Sequence, residues 1–200
     1  MKLIGLMGRK RSGKDTVFEI LHRKAPQVVR VAFADGVKEE VAAAINRPVS
    51  YIEEHKTQLR LLLQAWGTEY RRNLCSPTYW IDRTRDVIQK YADGDAIVVL
   101  TDVRFPNEAA LIQELGGTTV RVYRPGFDTS DDEHSSETAL DDFKADAVIW
   151  NPGGLSELEN RVDNYITRHG LLKPNRTEPL PHTTEVQGDP GAVPAQAALL

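Results

Sequence analysis

Apolar residues recur along this chain in two alternating rhythms. Residues 2–7 form a short apolar run that stops at Gly8, the pattern of a buried strand. From Lys14 to Arg23 the apolar positions Val17, Ile20 and Leu21 fall at helical spacing. Residues 28–33 are β-branched and strand-like, and 36–45 read as an Ala-rich helix broken at Arg47-Pro48. A long helical stretch follows over 55–72, with Leu59, Leu62, Leu63 and Trp66 on or near one face. Gly67 interrupts it at a helix cost of about 1 kcal/mol relative to alanine; either a close approach or a plain kink accounts for it. The pattern predicts a helix over 79–91, a strand over 96–100, a helix over 107–115 closed by Gly116-Gly117, and a strand over 118–123. Residues 124–142 are charged and read as a loop, 147–150 as a last strand, 151–154 as a turn and 155–166 as a closing helix.

Strands alternating with helices predict an α/β fold: a parallel sheet with helices on both faces. The extra helices between about 50 and 92 make an inserted subdomain. From about Pro174 to residue 200 the pattern dissolves into Pro, Gly, Thr, Gln and Ala, the composition of a disordered tail. Two hundred residues with 40% hydrophobic content suit one domain with a real core.

Charge and cysteine content narrow the function classes. A formal net charge of −4 argues against a general nucleic-acid coat. The single cysteine, Cys75, offers no disulfide framework and suits a reducing cytoplasm. No run approaches the roughly 20 apolar residues of a membrane helix, and the short N-terminal run ends in Gly8-Arg9-Lys10-Arg11, unlike a signal peptide. The expectation is a cytoplasmic protein with no membrane and no nucleic-acid partner.

The first strand–helix turn carries the strongest chemical signal. Gly8, Gly13 and Lys14 stand at P-loop spacing, G-x-x-x-x-G-K, between a predicted strand and a predicted helix. In that context backbone N–H groups ring an anion, the helix N-terminus adds positive charge, and Lys14 reaches the β- and γ-phosphates. Asp15 stands where the motif wants a hydroxyl, and Thr16 offers one a residue later. Asp15 either caps its helix or meets magnesium or its waters. Arg9, Lys10 and Arg11 are either a solvated basic patch or the charge supply that two anionic substrates need.

A second constellation follows the predicted strand over 96–100. Asp102 and Arg104 are expected just past its C-terminal end, the edge where open α/β sheets bind ligands. Asp102 is placed to order magnesium or its waters, Arg104 to clamp a phosphate, and Glu108 to pair with Arg104 or hold a substrate hydroxyl. Arg60, Arg71, Arg72, Trp80, Arg83 and Arg85 together suit an anionic, planar substrate, although each arginine alone reads as a solvated helix face. "DDEHSSE" sits in the loop where a lid would close; His134 has no metal-ligand spacing around it.

These segments resemble bacteriophage deoxynucleoside monophosphate kinases. The likeness runs over "KRSGKDT", "LQAWGTEYRRN" with "YWID", "DVRFPNEA", "VRVYRPG", "HSSE" and "DAVIWNPGGLSEL", from Met1 to about Ile166. It implies a P-loop kinase domain over about 1–170, with a helical monophosphate-binding region about 36–92 and a lid about 124–142. The implied reaction moves the γ-phosphoryl of ATP, with Mg²⁺, onto a deoxynucleoside monophosphate. By similarity Arg11, Gly13, Lys14, Asp15 and Thr16 bind ATP, Asp15 and Thr16 lie nearest the metal, and Asn151 lies in the turn bordering the adenine. Lys10, Lys38, Arg60, Gly67, Thr68, Trp80, Asp102, Arg104 and Glu108 match positions around the monophosphate, with Ser136 and Glu137 in the lid; Lys14, Asp102 and Arg104 carry the catalysis. The family often dimerises, so a homodimer is expected. Asp102-Val103-Arg104 departs from the family's Asp-Thr-Arg, and the stretch between Ser50 and Leu63 is shorter than in some members, which leaves base preference open. "KRSGKD" and the "WGTE" stretch also resemble animal-type phosphomevalonate kinase. That enzyme, dephospho-coenzyme A kinase and a P-loop binding module without an acceptor are the rival readings.

Overall fold

A computed structural model describes residues 1–127 and 134–171, except for the side chain of Glu137. The tail expected over 174–200 lies outside the described residues, as do positions 128–133 of the expected lid. Five strands form one sheet in the order β2-β3-β1-β4-β5, every neighbouring pair parallel. They are β1 (Lys2–Met7), β2 (Val28–Val31), β3 (Ile97–Val103), β4 (Thr118–Tyr123) and β5 (Ala147–Trp150).

Alternation along β1 explains the layering. Ile4 and Leu6 point to one face, where α1 (Lys14–Lys24) and α8 (Leu155–Arg168) bring Val17, Ile20, Leu158 and Val162. Leu3 and Met7 point to the other, where α5 (Tyr79–Gln89) and α6 (Pro106–Glu114) bring Ile81, Ile88, Leu111 and Ile112. Both faces are covered, which is why these strands read as continuous apolar runs. α6 lies so close to β1 that a Cβ on Gly5 would come within 2.1 Å of Ile112 Cδ1.

The helical insertion is where the structure departs most from the pattern. α2 (Phe33–Ala44) starts three residues before the expected helix, and β2 is correspondingly shorter. The cause is remote in sequence: both Asp102 carboxylate oxygens accept backbone N–H bonds, from Phe33 at 2.9 Å and Ala34 at 2.8 Å, and so cap α2 from β3. β3 runs on to Val103, so Asp102 lies within the strand and not past its end. A short α3 (Val49–Glu54) follows Pro48 where no element was expected. The single helix expected over 55–72 is instead α4 (Arg60–Gln64) running into a π-helix, Ala65–Cys75. One short helix, α7 (Ser135–Thr138), lies in the described part of the segment expected as a lid. No helix among the described residues is long and apolar enough to cross a membrane.

Asp146 anchors the start of β5 to β4. Its carboxylate accepts bonds from the Thr119 N–H at 2.8 Å and hydroxyl at 2.6 Å. These bonds hold its pKa below the ordinary 3.8. A carboxyl depressed by folding stabilises above its unfolded pKa, and that contribution disappears as pH falls through the folded value. We therefore expect Asp146→Asn to be less stable than wild type at pH 7, with the gap closing below about pH 3.8 in denaturant melts across pH.

Candidate active site

The turn from β1 to α1 builds a loop with no room for side chains at two places. Gly8 has φ 140° and Gly13 φ 103°. A Cβ on Gly8 would come within 2.4 Å of the Val122 carbonyl oxygen, and one on Gly13 within 2.5 Å of Asn151 Nδ2. Arg11 also takes a left-handed conformation, φ 64°, with its side chain exposed. Asn151 is buried and braces the loop, donating from Nδ2 to the Ser12 carbonyl at 2.8 Å. Lys14 Nζ donates to the loop's own carbonyls, Gly8 at 2.7 Å and Arg9 at 3.0 Å. The Ser12 hydroxyl is buried with no hydrogen-bond partner. This is a backbone-walled cradle at a helix N-terminus, the shape and polarity that fit a phosphate.

Beside it a cleft encloses about 810 Å³ of empty space, part of it open to solvent. Nine of the residues expected around a monophosphate line it. Lys38, Arg60, Gly67, Thr68 and Trp80 come from the helical insertion; Asp102, Arg104 and Glu108 come from β3 and α6; Ser136 comes from α7. Phe33, Val37, Leu63 and Phe105 add apolar walls that the sequence reading missed. Phe105 follows Arg104 directly, the one local signal that would have found it. Lys10 is exposed and does not line the cleft, and the Glu137 side chain lies outside the described residues.

Arg104 lines both this cleft and a smaller space beside the phosphate loop, shared with Gly8, Arg9, Arg121 and Asp141. It therefore stands at the junction of the two. Its guanidinium donates to the Ser136 carbonyl at 3.2 Å, and its backbone N–H to Glu108 Oε2 at 2.7 Å. His134 Nε2 meets Glu69 Oε1 at 2.9 Å, tying the start of α7 to the π-helix.

Several expected roles change once partners are known. Asp102 is engaged in capping α2 with both oxygens, so a direct hold on magnesium is not its arrangement here. Glu108 does not pair with the Arg104 guanidinium. It is buried, accepts from the Arg104 and Phe105 N–H groups, and forms an ion pair with Arg72, a residue read only as one of several arginines. Arg72 also lies over the Phe105 ring at 3.9 Å and donates to Asn107 Oδ1 at 3.0 Å. Trp80 is buried, and its indole N–H donates to the Gly67 carbonyl at 2.8 Å, so it walls the cleft and its N–H does not face a ligand. The Asn151 side chain is turned to the phosphate loop through its bond to the Ser12 carbonyl. Lys38 is buried between Asp35 and Glu53. Asp15 is exposed in the first turn of α1, beside the half-buried Thr16.

The strand order, the phosphate cradle after the central strand and the cleft beside it define an α/β P-loop kinase. The profile of the deoxynucleotide monophosphate kinase family matches residues 43–162. A protein of Acanthamoeba polyphaga mimivirus, provisionally named as such a kinase, is 32% identical over 81% of this chain and 94% of its own length. The deoxynucleotide monophosphate kinase of Enterobacteria phage T4 is 31% identical over 76% of this chain, which spans 64% of that enzyme. A solved structure, TT1252 from Thermus thermophilus, shares the fold at a TM-score of 0.51 and 16% identity, over 84% of this chain and 97% of that one. The chain belongs to the deoxynucleotide monophosphate kinase family.

Burial raises the Glu108 carboxyl from 4.5 to about 7, against the pull of Arg72 and the two N–H donors. Here the folded state holds its proton longer than the unfolded chain, so stability falls as pH rises between those values. We expect wild type to lose stability relative to Glu108→Gln as pH rises from 4.5 to about 7. Paired denaturant titrations across that range check this; a constant gap would mean that Arg72 keeps the carboxyl ionised throughout.

Proposed function

We propose that this protein transfers the γ-phosphoryl of ATP to the phosphate of a deoxynucleoside monophosphate, giving ADP and the deoxynucleoside diphosphate. The observation that carries the reading is the convergence of nine family-matched residues on one cleft that meets the phosphate loop at Arg104. The apolar walls Phe33, Val37 and Phe105 suit a planar base, and the cations around Arg104 suit its phosphate.

The chemistry asked of the protein is positioning and charge neutralisation. The acceptor oxygen is already anionic, so no strong base is required. The bond from the γ-phosphorus to the β-bridging oxygen breaks as the bond to the acceptor oxygen forms. The loop's N–H groups and Lys14 hold the β- and γ-phosphates; Lys14 would exchange its bonds to Gly8 and Arg9 for phosphate oxygens. Arg104, Arg9 and Arg121 surround the space between donor and acceptor and would stabilise the migrating charge. Arg124 lies on the far side of the loop, over Phe127 at 4.2 Å and bonded to the Arg11 carbonyl at 3.4 Å; this is where the adenine of ATP would rest.

Magnesium fits the same site. No cluster of three metal-ligating side chains exists among the described residues, but a magnesium carried on ATP takes most ligands from phosphates and waters. Thr16, with Asp15 beside it, would hold it from the protein side. Bound there, the ion offsets phosphate charge. The α7 segment, tied to both cleft walls, would exclude water from the reaction.

Lys14→Ala is expected to lower kcat/KM on the order of 10²–10³-fold with the melting temperature nearly unchanged. The substrate panel pairs ATP with dGMP, dTMP, dCMP, dAMP, their ribose forms and phosphomevalonate, read by ADP release. Turnover on at least one deoxynucleotide supports the reading. Turnover on phosphomevalonate alone, or on nothing, overturns it.

A further inference from the structure

One carboxylate outside the cleft is bonded to the segment that forms part of its wall. Glu40, on α2, accepts four side-chain hydrogen bonds: from Trp66 Nε1 at 2.9 Å, Arg71 Nε at 2.7 Å, the Tyr79 hydroxyl at 2.5 Å and Arg83 Nη1 at 3.3 Å. Two donors belong to the π-helix and two to α5. Burial alone would raise the Glu40 carboxyl, but the bonds from Tyr79, Trp66 and Arg71 outweigh it and hold the group below the ordinary glutamate value.

The spacing of its partners matters more than their number. Trp66 and Arg71 are five residues apart, and the Arg71 guanidinium lies 5.9 Å from the Trp66 ring centre. On an α-helix the neighbours on one face are three or four apart, so a five-residue pair diverges. The i→i+5 bonding of a π-helix brings such a pair together. Gly67 and Arg72 are also five apart, and both line the cleft. The register that delivers Trp66 and Arg71 to Glu40 is thus the register that turns Gly67 and Arg72 toward the substrate space.

We propose that Glu40 is a positioning residue for the monophosphate cleft: by gripping Trp66 and Arg71 together it selects the π register of Ala65–Cys75, and with it the substrate-facing placement of Gly67, Thr68 and Arg72. This rests on the kinase reading above. Neighbouring contacts support the segment without specifying its register. Val37 lies 3.2 Å from where a Gly67 Cβ would be, Trp80 takes the Gly67 carbonyl, and Glu108 and Asn107 hold Arg72. Of these contacts, only the Glu40 grip spans the five-residue step.

The test uses the full chain with Glu40→Ala, Glu40→Gln and Tyr79→Phe, the last removing one α5 donor while leaving the Trp66–Arg71 pair gripped. Separate KM values for the monophosphate and for ATP are measured, with kcat and a thermal melt. Glu40→Ala should raise the monophosphate KM about tenfold and the ATP KM by less than about twofold, with Glu40→Gln intermediate and Tyr79→Phe near wild type. An equal rise in both KM values, a lowered melting temperature with KM unchanged, or a Tyr79→Phe effect as large as that of Glu40→Ala would overturn the proposal. If Glu40→Ala does not fold, Trp66→Phe decides, since it deletes the indole N–H from the grip; a selective rise in monophosphate KM supports the proposal and its absence refutes it. Wild type that turns over no monophosphate defeats the kinase reading and this inference together, whereas wild-type turnover with an unchanged Glu40→Ala defeats the inference alone.

Discussion

The close packing of the phosphate loop against its neighbours is the constraint on which the site depends. Gly8 sits against the backbone of β4 and Gly13 against the Asn151 amide, with no space for a methyl group at either. That closeness joins three parts of the fold. β1 leads into the loop, β4 presses on its start, and the turn after β5 holds its middle through the Ser12 carbonyl. A loop braced at both glycines keeps its N–H groups aimed without help from a ligand, so little reorganisation remains when an anion arrives. The parallel sheet makes this possible, because it brings the ends of β1, β3, β4 and β5 to one edge.

Around that loop and the cleft beside it, key acids are bonded to the protein's own groups, while Lys38, Arg60 and Arg104 line the cleft. Asp102 caps α2, Glu108 holds Arg72 and the turn into α6, and Glu40 gathers four donors from two helices. Each carboxylate is satisfied internally, which suits a site that must hold two polyanions side by side. Arg104 links the two halves: its backbone is fixed by Glu108, its guanidinium reaches the Ser136 carbonyl on α7, and it borders both the cleft and the smaller space beside the loop.

Local signals made much of this legible. The strand–glycine–helix turn at residues 2–24, the strands at 118–123 and 147–150 and the helix at 79–89 follow from periodicity and turn residues that act over a few positions. Of the positions that the resemblance places around a monophosphate, nine line one cleft. Partner choice was not legible. A carboxylate at position 102 looks the same in sequence whether it meets a metal or the N-terminus of a helix almost seventy residues earlier. Glu40 gave no signal beyond being a charged residue on a helix, and Arg72 stood out only as one of a set of arginines, because their partners come from other elements.

The amino-acid order by itself determined the α/β alternation and the phosphate loop, since these rest on short-range sterics, periodicity and a motif that is contiguous in the chain; the kinase class came with the resemblance of its short segments to a known family. Only the tertiary structure decided that residues 65–75 wind as a π-helix, that α2 begins at Phe33 and that the Asn151 side chain braces the phosphate loop. Each of those outcomes is set by hydrogen bonds between groups far apart in sequence, whose strength depends on burial and mutual geometry that exist only after the chain has folded.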